Sequence, residues 1–174
     1  MAQRDVEVGG RLALGIDPGT AIMGFGLVRE EQGSLELVDF GVVTTPTSLP
    51  LAERLQILHR STLDLIHRTH PTEVAVEELF FSKNVRTALA VGQARGVAIL
   101  AAANCGLPVS EYSPLQIKQS IAGYGRARKE QIQEMVRILL GLPSIPEPDD
   151  AADALALAIC HLNTSRMARL IERL

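Results

Sequence analysis

The run PDDAADALALAICHL at residues 148–162 constrains the fold more than any other segment. Beyond Asp153 it is apolar on nearly every face at helical period, and such a helix sits inside a protein rather than on it. Asp150 and Asp153 stand three apart and so share one helix face. A charged group on the inner surface of a buried helix requires a partner. Asp149 is the better N-cap candidate. A chain of 174 residues that is 47% hydrophobic can bury such a helix within one compact domain.

The rest of the chain supplies strands and further helices. Residues 12–17 read as a buried strand, 22–30 as a second and 35–44 as a third, with a turn at 31–34. This opening is an antiparallel meander. Leu51, Leu55, Leu58 and Leu65 mark one face of a helix that runs to about His70, where Pro71 ends it. Residues 73–77 form a short apolar strand, and 84–104 an Ala-rich helix. Gly92 and Gly96 lie four apart on that helix and are expected to face the sheet. Residues 107–112 read as another strand, and Ser113 can cap a short helix ending near Ile121. A basic loop, AGYGRAR at 122–128, precedes a helix marked by Ile132, Val136, Leu139 and Leu140 and stopped at Gly141 and Pro143. Strands first, then alternating helices and strands, then helices, make an α/β fold with a mixed sheet.

Two carboxylates stand at strand ends: Asp17 before the Pro18-Gly19 turn, and Glu77 at the end of TEVAVE. Sites in open α/β sheets form beyond the carboxyl ends of the strands. Taken singly, Glu77 reads as a residue entering a loop, and Asp150 reads equally well as a first-turn acid answering the helix dipole. Glu78 points away. Together, Asp17, Glu77, Asp150 and Asp153 would form an oxygen-rich negative pocket suited to Mg²⁺ or Mn²⁺. His161, eight residues after Asp153, takes a packing role or supports the pocket from behind. Cys105 and Cys160 read as small buried apolar residues inside helices, with no metal spacing.

The segments GIDPGT at 15–20, VEELFFSKN at 76–84, GQARGVAI at 92–99 and DDAADALALAICH at 149–161 resemble the RuvC family of Holliday junction resolvases, collinearly over nearly the whole chain. The resemblance implies an RNase H-like fold: a five-stranded mixed sheet, antiparallel meander then parallel strands, flanked by helices. It implies a Mg²⁺-dependent homodimeric endonuclease that cuts two opposed strands of a four-way DNA junction in recombination and repair. A branch-migration motor complex is the partner it implies. Asp17, Glu77, Asp150 and Asp153 match the family's catalytic, metal-binding tetrad. Phe80 matches an aromatic residue that stacks on a base, and Lys118 and Lys129 match basic residues near the scissile phosphate. Two ions held by such a tetrad stabilise both ends of an in-line displacement. Residues 1–10 form an N-terminal extension, 11–164 the nuclease domain and 165–174 a helical tail.

An acidic pocket repels DNA, so affinity must come from elsewhere. Lys118, Arg126, Arg128 and Lys129 cluster in one short span, and Lys83 and Arg86 flank the loop after the fourth strand. By composition alone the 118–129 group reads slightly better as solvated surface; the resemblance reverses that order. Helix surface accounts adequately for Arg86 and Arg95. Either Phe80 or Phe81 projects toward DNA, and Tyr124 is a second stacking candidate. Net charge is −3, so any nucleic-acid surface must be local. No signal-peptide pattern or membrane-length apolar run is present, and the expected location is cytoplasmic, away from membranes. Two other readings compete: another RNase H-like nuclease acting on other branched DNA or on RNA, and a non-nuclease, either an actin-like nucleotide-binding module or a junction-binding protein without activity. Against the actin-like module, 174 residues cannot supply the usual two lobes, and an intact tetrad argues against an inactive binder.

Overall fold

The computed structural model describes residues 10–79 and 85–171. In chain order the elements are β1 (Arg11–Asp17), β2 (Ile22–Glu31), β3 (Ser34–Thr44), α1 (Leu51–Thr69), β4 (Glu73–Glu77), α2 (Val85–Asn104), β5 (Val109–Tyr112), α3 (Pro114–Ala122), α4 (Lys129–Leu139) and α5 (Asp149–Ile171). The five strands form one sheet in the order β3-β2-β1-β4-β5. β1, β2 and β3 pair antiparallel, whereas β4 lies parallel to both β1 and β5. This is the mixed α/β sheet that the resemblance implied.

Alternation along the strands sorts the core into two layers. Leu12, Leu14 and Ile16 of β1 and Val74 and Val76 of β4 face α1 and α2, meeting Leu58, Leu65, Ile66, Ala94 and Ala98. Ala13 and Ala75 face the other way, toward α5, which α3 and α4 cover from outside through Ile117, Ile121, Ile132 and Val136. α5 thus lies between the sheet and an outer helical layer, as its all-round apolar sequence requires. From Ala151 to Leu162 every residue except Asp153 is buried.

Glycines set how close α5 comes. Gly15 of β1 and Gly26 of β2 are cross-strand partners, and so are Asp17 and Gly24. A Cβ at Gly26 would lie 2.7 Å from the Leu155 nitrogen and 2.8 Å from its Cα. One at Gly15 would collide with the Ala154 carbonyl, and one at Gly24 with the Asp150 carbonyl. The α5 backbone therefore rests directly on the strands.

At the N-terminal end of β1 a charged network anchors the same helix. Arg11 Nε meets Glu73 Oε1 at 2.7 Å and its Nη1 meets Glu30 Oε2 at 2.9 Å. His161 Nε2 lies 2.6 Å from Glu73 Oε2, and its Nδ1 lies 2.8 Å from the Tyr112 hydroxyl. A carboxylate only accepts, so Nε2–H donates to Glu73. Burial pushes the Glu73 carboxyl up, but hydrogen bonds and charge from His161 and Arg11 outweigh it and hold the group down at about 2.

Several expectations are corrected. Gly96 does not face the sheet, against which Ala94, Ala98 and Ala102 pack: a Cβ at Gly96 would meet nothing within 4 Å, whereas one at Gly92 would lie 3.3 Å from the Leu79 side chain. β5 starts at Val109 rather than at 107, because Leu107 N–H is taken by Ala102 O and Pro108 has no N–H to give. Cys105 is only half-buried and lies just past α2, whereas Cys160 is buried. Asp149 is not an N-cap but the first residue of α5, its carboxylate bound to Lys129 and Gln133. Residues 165–171 continue α5 without a break. No helix among the described residues is long and apolar enough to cross a membrane.

Because backbone atoms oppose Gly26, Gly26→Ala must displace α5. It is expected to destabilise the fold by about 3 kcal/mol, read as a lower urea midpoint at unchanged m-value.

Candidate active site

Asp17 and Glu77 end neighbouring parallel strands, with Ile16 in register with Val76. Adjacent strands lie about 4.8 Å apart, so the two carboxylates stand side by side. Both belong to the alternation set of Ala13 and Ala75, which faces α5. α5 begins above the same spot, since the Asp150 carbonyl sits over Gly24, the cross-strand partner of Asp17. One helical turn on, Asp153 joins Asp17 and Glu77 in lining a cleft of about 210 Å³. Lys118 from α3 and Lys129 from α4 line it too, with Ile117 and Ile132 supplying apolar wall.

The electrostatics of this cleft are those of crowded, partly dehydrated acids. Burial, then the charges of Glu77, Asp153 and Asp150, push the Asp17 carboxyl up to about 7, against a smaller pull from Lys129. Glu77 is raised by burial and then by Asp153. Asp153 is also raised, by burial, although its hydrogen bond from Lys129 opposes the shift. The Lys129 ammonium lies 3.1 Å from an oxygen of Asp153 and 3.1 Å from one of Asp149.

Such a site calls for positive charge. Among the described residues no three His, Cys, Asp or Glu side chains are drawn together as a ligand set, and Asp153 is turned to Lys129. The donors are nonetheless all carboxylate oxygens, and of the two lysines at the cleft Lys129 is paired with Asp149 and Asp153. That chemistry fits a hard divalent cation of the Mg²⁺ class.

The remaining candidates are dispersed. Arg126 and Arg128 are exposed on the loop between α3 and α4, which is fastened by the buried Ala127. Tyr124, on the same loop, is exposed and borders a shallow depression with Glu130 and Met135. Arg86 is exposed in the first turn of α2. Phe80, Phe81 and Lys83 lie outside the described residues. His161 does not support the carboxylate pocket: it binds Glu73, at the opposite end of β4 from Glu77. Sequence reasoning gave Arg95 to helix surface, yet its Nε donates to the Glu77 carbonyl oxygen at 3.0 Å and its guanidinium pairs with Glu111. It also missed the seat formed by Gly15, Gly24 and Gly26, although GIDPGTAIMGFG spells it out at a two-residue period on facing strands.

Residues 13–161 match the family model for crossover junction endodeoxyribonuclease RuvC. A relative of that name from Roseiflexus sp. is 60% identical over 159 residues, covering 91% of this chain and 95% of its own. Another, from Chloroflexus aurantiacus, is 61% identical over 153 residues, covering 88% and 93%. Among solved structures, T. thermophilus RuvC in complex with Holliday junction substrate superposes with a TM-score of 0.87 at 41% identity, over 91% of this chain and 96% of that one. With a match of that extent, and identities near 60% along almost the full length of the relatives, this chain belongs to the crossover junction endodeoxyribonuclease RuvC family.

Proposed function

We propose that this chain, as a homodimer, resolves four-way DNA junctions by hydrolysing phosphodiesters in two opposed strands. One observation carries the reading: Asp17 and Glu77 end adjacent parallel strands beneath the acidic first turns of α5, in a cleft that also holds Lys118 and Lys129. Asp17, Glu77, Asp150 and Asp153 would hold two Mg²⁺ ions, with Mn²⁺ a chemical substitute. Ions bound there would activate a water at neutral pH and offset charge developing at phosphorus's entering and leaving oxygens.

The chain's own residues do the positioning. The sheet fixes Asp17 and Glu77, and the glycine seat fixes Asp150 and Asp153 above them. Lys118 and Lys129 at the cleft attract the phosphate that carboxylates alone would repel. Arg86, Arg126 and Arg128 extend phosphate contact outward, and Lys83 adds a further basic side chain. Tyr124 and Phe80 offer rings for stacking on unpaired bases. Residues 11–164 constitute the nuclease domain, and a branch-migration motor complex is the expected partner.

The dimer face is α2. Val85 and Leu89 are 73% and 63% exposed, and Leu100 is exposed on the same helix. With Gly92 and Gly96 between them at spacings of three and four, they form one apolar, low-relief stripe. Such a row supports packing against its copy in a second chain. Leu89→Glu is expected to yield monomers by sedimentation velocity and to abolish paired nicking.

The test of function is an end-labelled synthetic four-way junction, beside duplex and RNA–DNA hybrid controls, with Mg²⁺ or chelator. Symmetric, metal-dependent nicks in the junction alone are expected, and cleavage of the hybrid instead would overturn the reading. Asp17→Asn is expected to abolish those nicks while stabilising the metal-free protein. The sign follows from a folded-state value near 7 against 3.8 unfolded: the wild type loses stability as pH rises through that window. The variant's advantage should therefore be absent below about pH 4 and grow to at most about 4 kcal/mol above pH 7, by urea denaturation in chelator.

A further inference from the structure

We propose that Arg95 is a positioning residue for Glu77, acting from the face of the sheet opposite the carboxylates. The inference rests on the reading of Glu77 as an active-site acid.

Arg95 belongs to α2, whose Ala94 and Ala98 pack with Val74 and Val76 of β4. Glu77 faces the other side, with Ala75. On β5, Tyr112 belongs to the α5 side, so its neighbour Glu111 turns toward α2. There Glu111 pairs with the Arg95 guanidinium. The same guanidinium donates from Nε to the main-chain carbonyl of Glu77 at 3.0 Å.

That carbonyl and the Glu78 N–H belong to one peptide unit. The N–H donates to the Tyr112 carbonyl at 2.9 Å, and Tyr112 is the register partner of Glu77. The last peptide of β4 is thus held on both sides: by β5 through its N–H, and by Arg95 through its C=O. Holding this plane fixes the backbone at Glu77, and with it the direction of the Glu77 Cβ toward Asp17.

The site needs such a clamp because Glu77 is held against like charge from Asp153. A donor placed on the carboxylate itself would occupy oxygens that a cation requires. A donor on the backbone carbonyl leaves both free. Arginine suits the task, since its planar fork meets a carbonyl and a carboxylate at once, which a lysine ammonium on a flexible stem does less well. Arg95 is only 19% exposed, consistent with a tie inside the protein.

The test compares Arg95→Ala, Arg95→Lys and Glu111→Gln in the full-length protein. Junction affinity and its salt dependence are measured in chelator, and cleavage under single turnover across a Mg²⁺ titration. The expected result for Arg95→Ala is a 10- to 100-fold slower rate and a raised Mg²⁺ midpoint, with junction affinity within about twofold of wild type. Arg95→Lys should fall between, and Glu111→Gln should slow cleavage in the same direction. Should Arg95→Ala fail to fold, Arg95→Lys and Glu111→Gln decide the matter by the same readouts. Weakened binding with a shallower salt slope and an unchanged single-turnover rate would identify Arg95 as a phosphate contact and overturn the proposal. Unchanged rate and unchanged affinity would overturn it too. Glu77→Gln is run alongside: cleavage at the wild-type rate there would refute the role of Glu77 itself, whatever Arg95 does.

Discussion

The direct seating of α5 on the glycines of β1 and β2 is the contact from which the rest of the molecule follows. Where Gly15 and Gly26 face each other across the strands, helix backbone replaces side chains as the packing partner. A helix so close to the sheet must be apolar below, and it is apolar above because α3 and α4 close over it. The seat also sets the height of Asp150 and Asp153 over Asp17. A bulkier residue at any of the three glycines would lift the acids of α5 away from those of the strands.

The two ends of the sheet handle charge in opposite ways. Around Glu73, each carboxylate has a cation or hydrogen-bond donor: Arg11 serves Glu30 and Glu73, and His161 and Tyr112 complete the chain. Around Asp17, acids outnumber cations, and burial with mutual repulsion drives their proton affinities up. Folding stability is concentrated at the first end and given up at the second. Binding a divalent cation is the natural resolution of the second, which is why the carboxylate geometry and the family assignment support one chemistry.

Much of this was legible in the sequence because strand alternation and helical periodicity are local. The meander, the strand ends at Asp17 and Glu77, the Ser113 cap and the burial of residues 154–162 all follow from short-range pattern. What escaped is what pattern does not carry. Gly92 and Gly96 mark a face of α2, but periodicity alone does not say whether that face meets the sheet or points outward. His161 lies eight residues from Asp153, about 80° round the helix, and at about 1.5 Å rise per residue it sits about 12 Å along the axis and serves another cluster. Arg95 looks like surface until α2 is laid beside β4 and β5. Asp149 reads as a cap until α4 brings Lys129 and Gln133 against it.

Seen mechanically, α5 is a lever with its pin at His161 and its working end at Asp153. Over about 12 Å of helix, a tilt of about 5° at the pin would carry the working end through about 1 Å. A misplacement of that size can slow an enzymatic step about a hundredfold. The ionic cluster of Arg11, Glu73 and His161 is therefore a bearing as well as a fastening, and its stiffness sets how firmly Asp153 is held over Asp17 from the far end of the sheet.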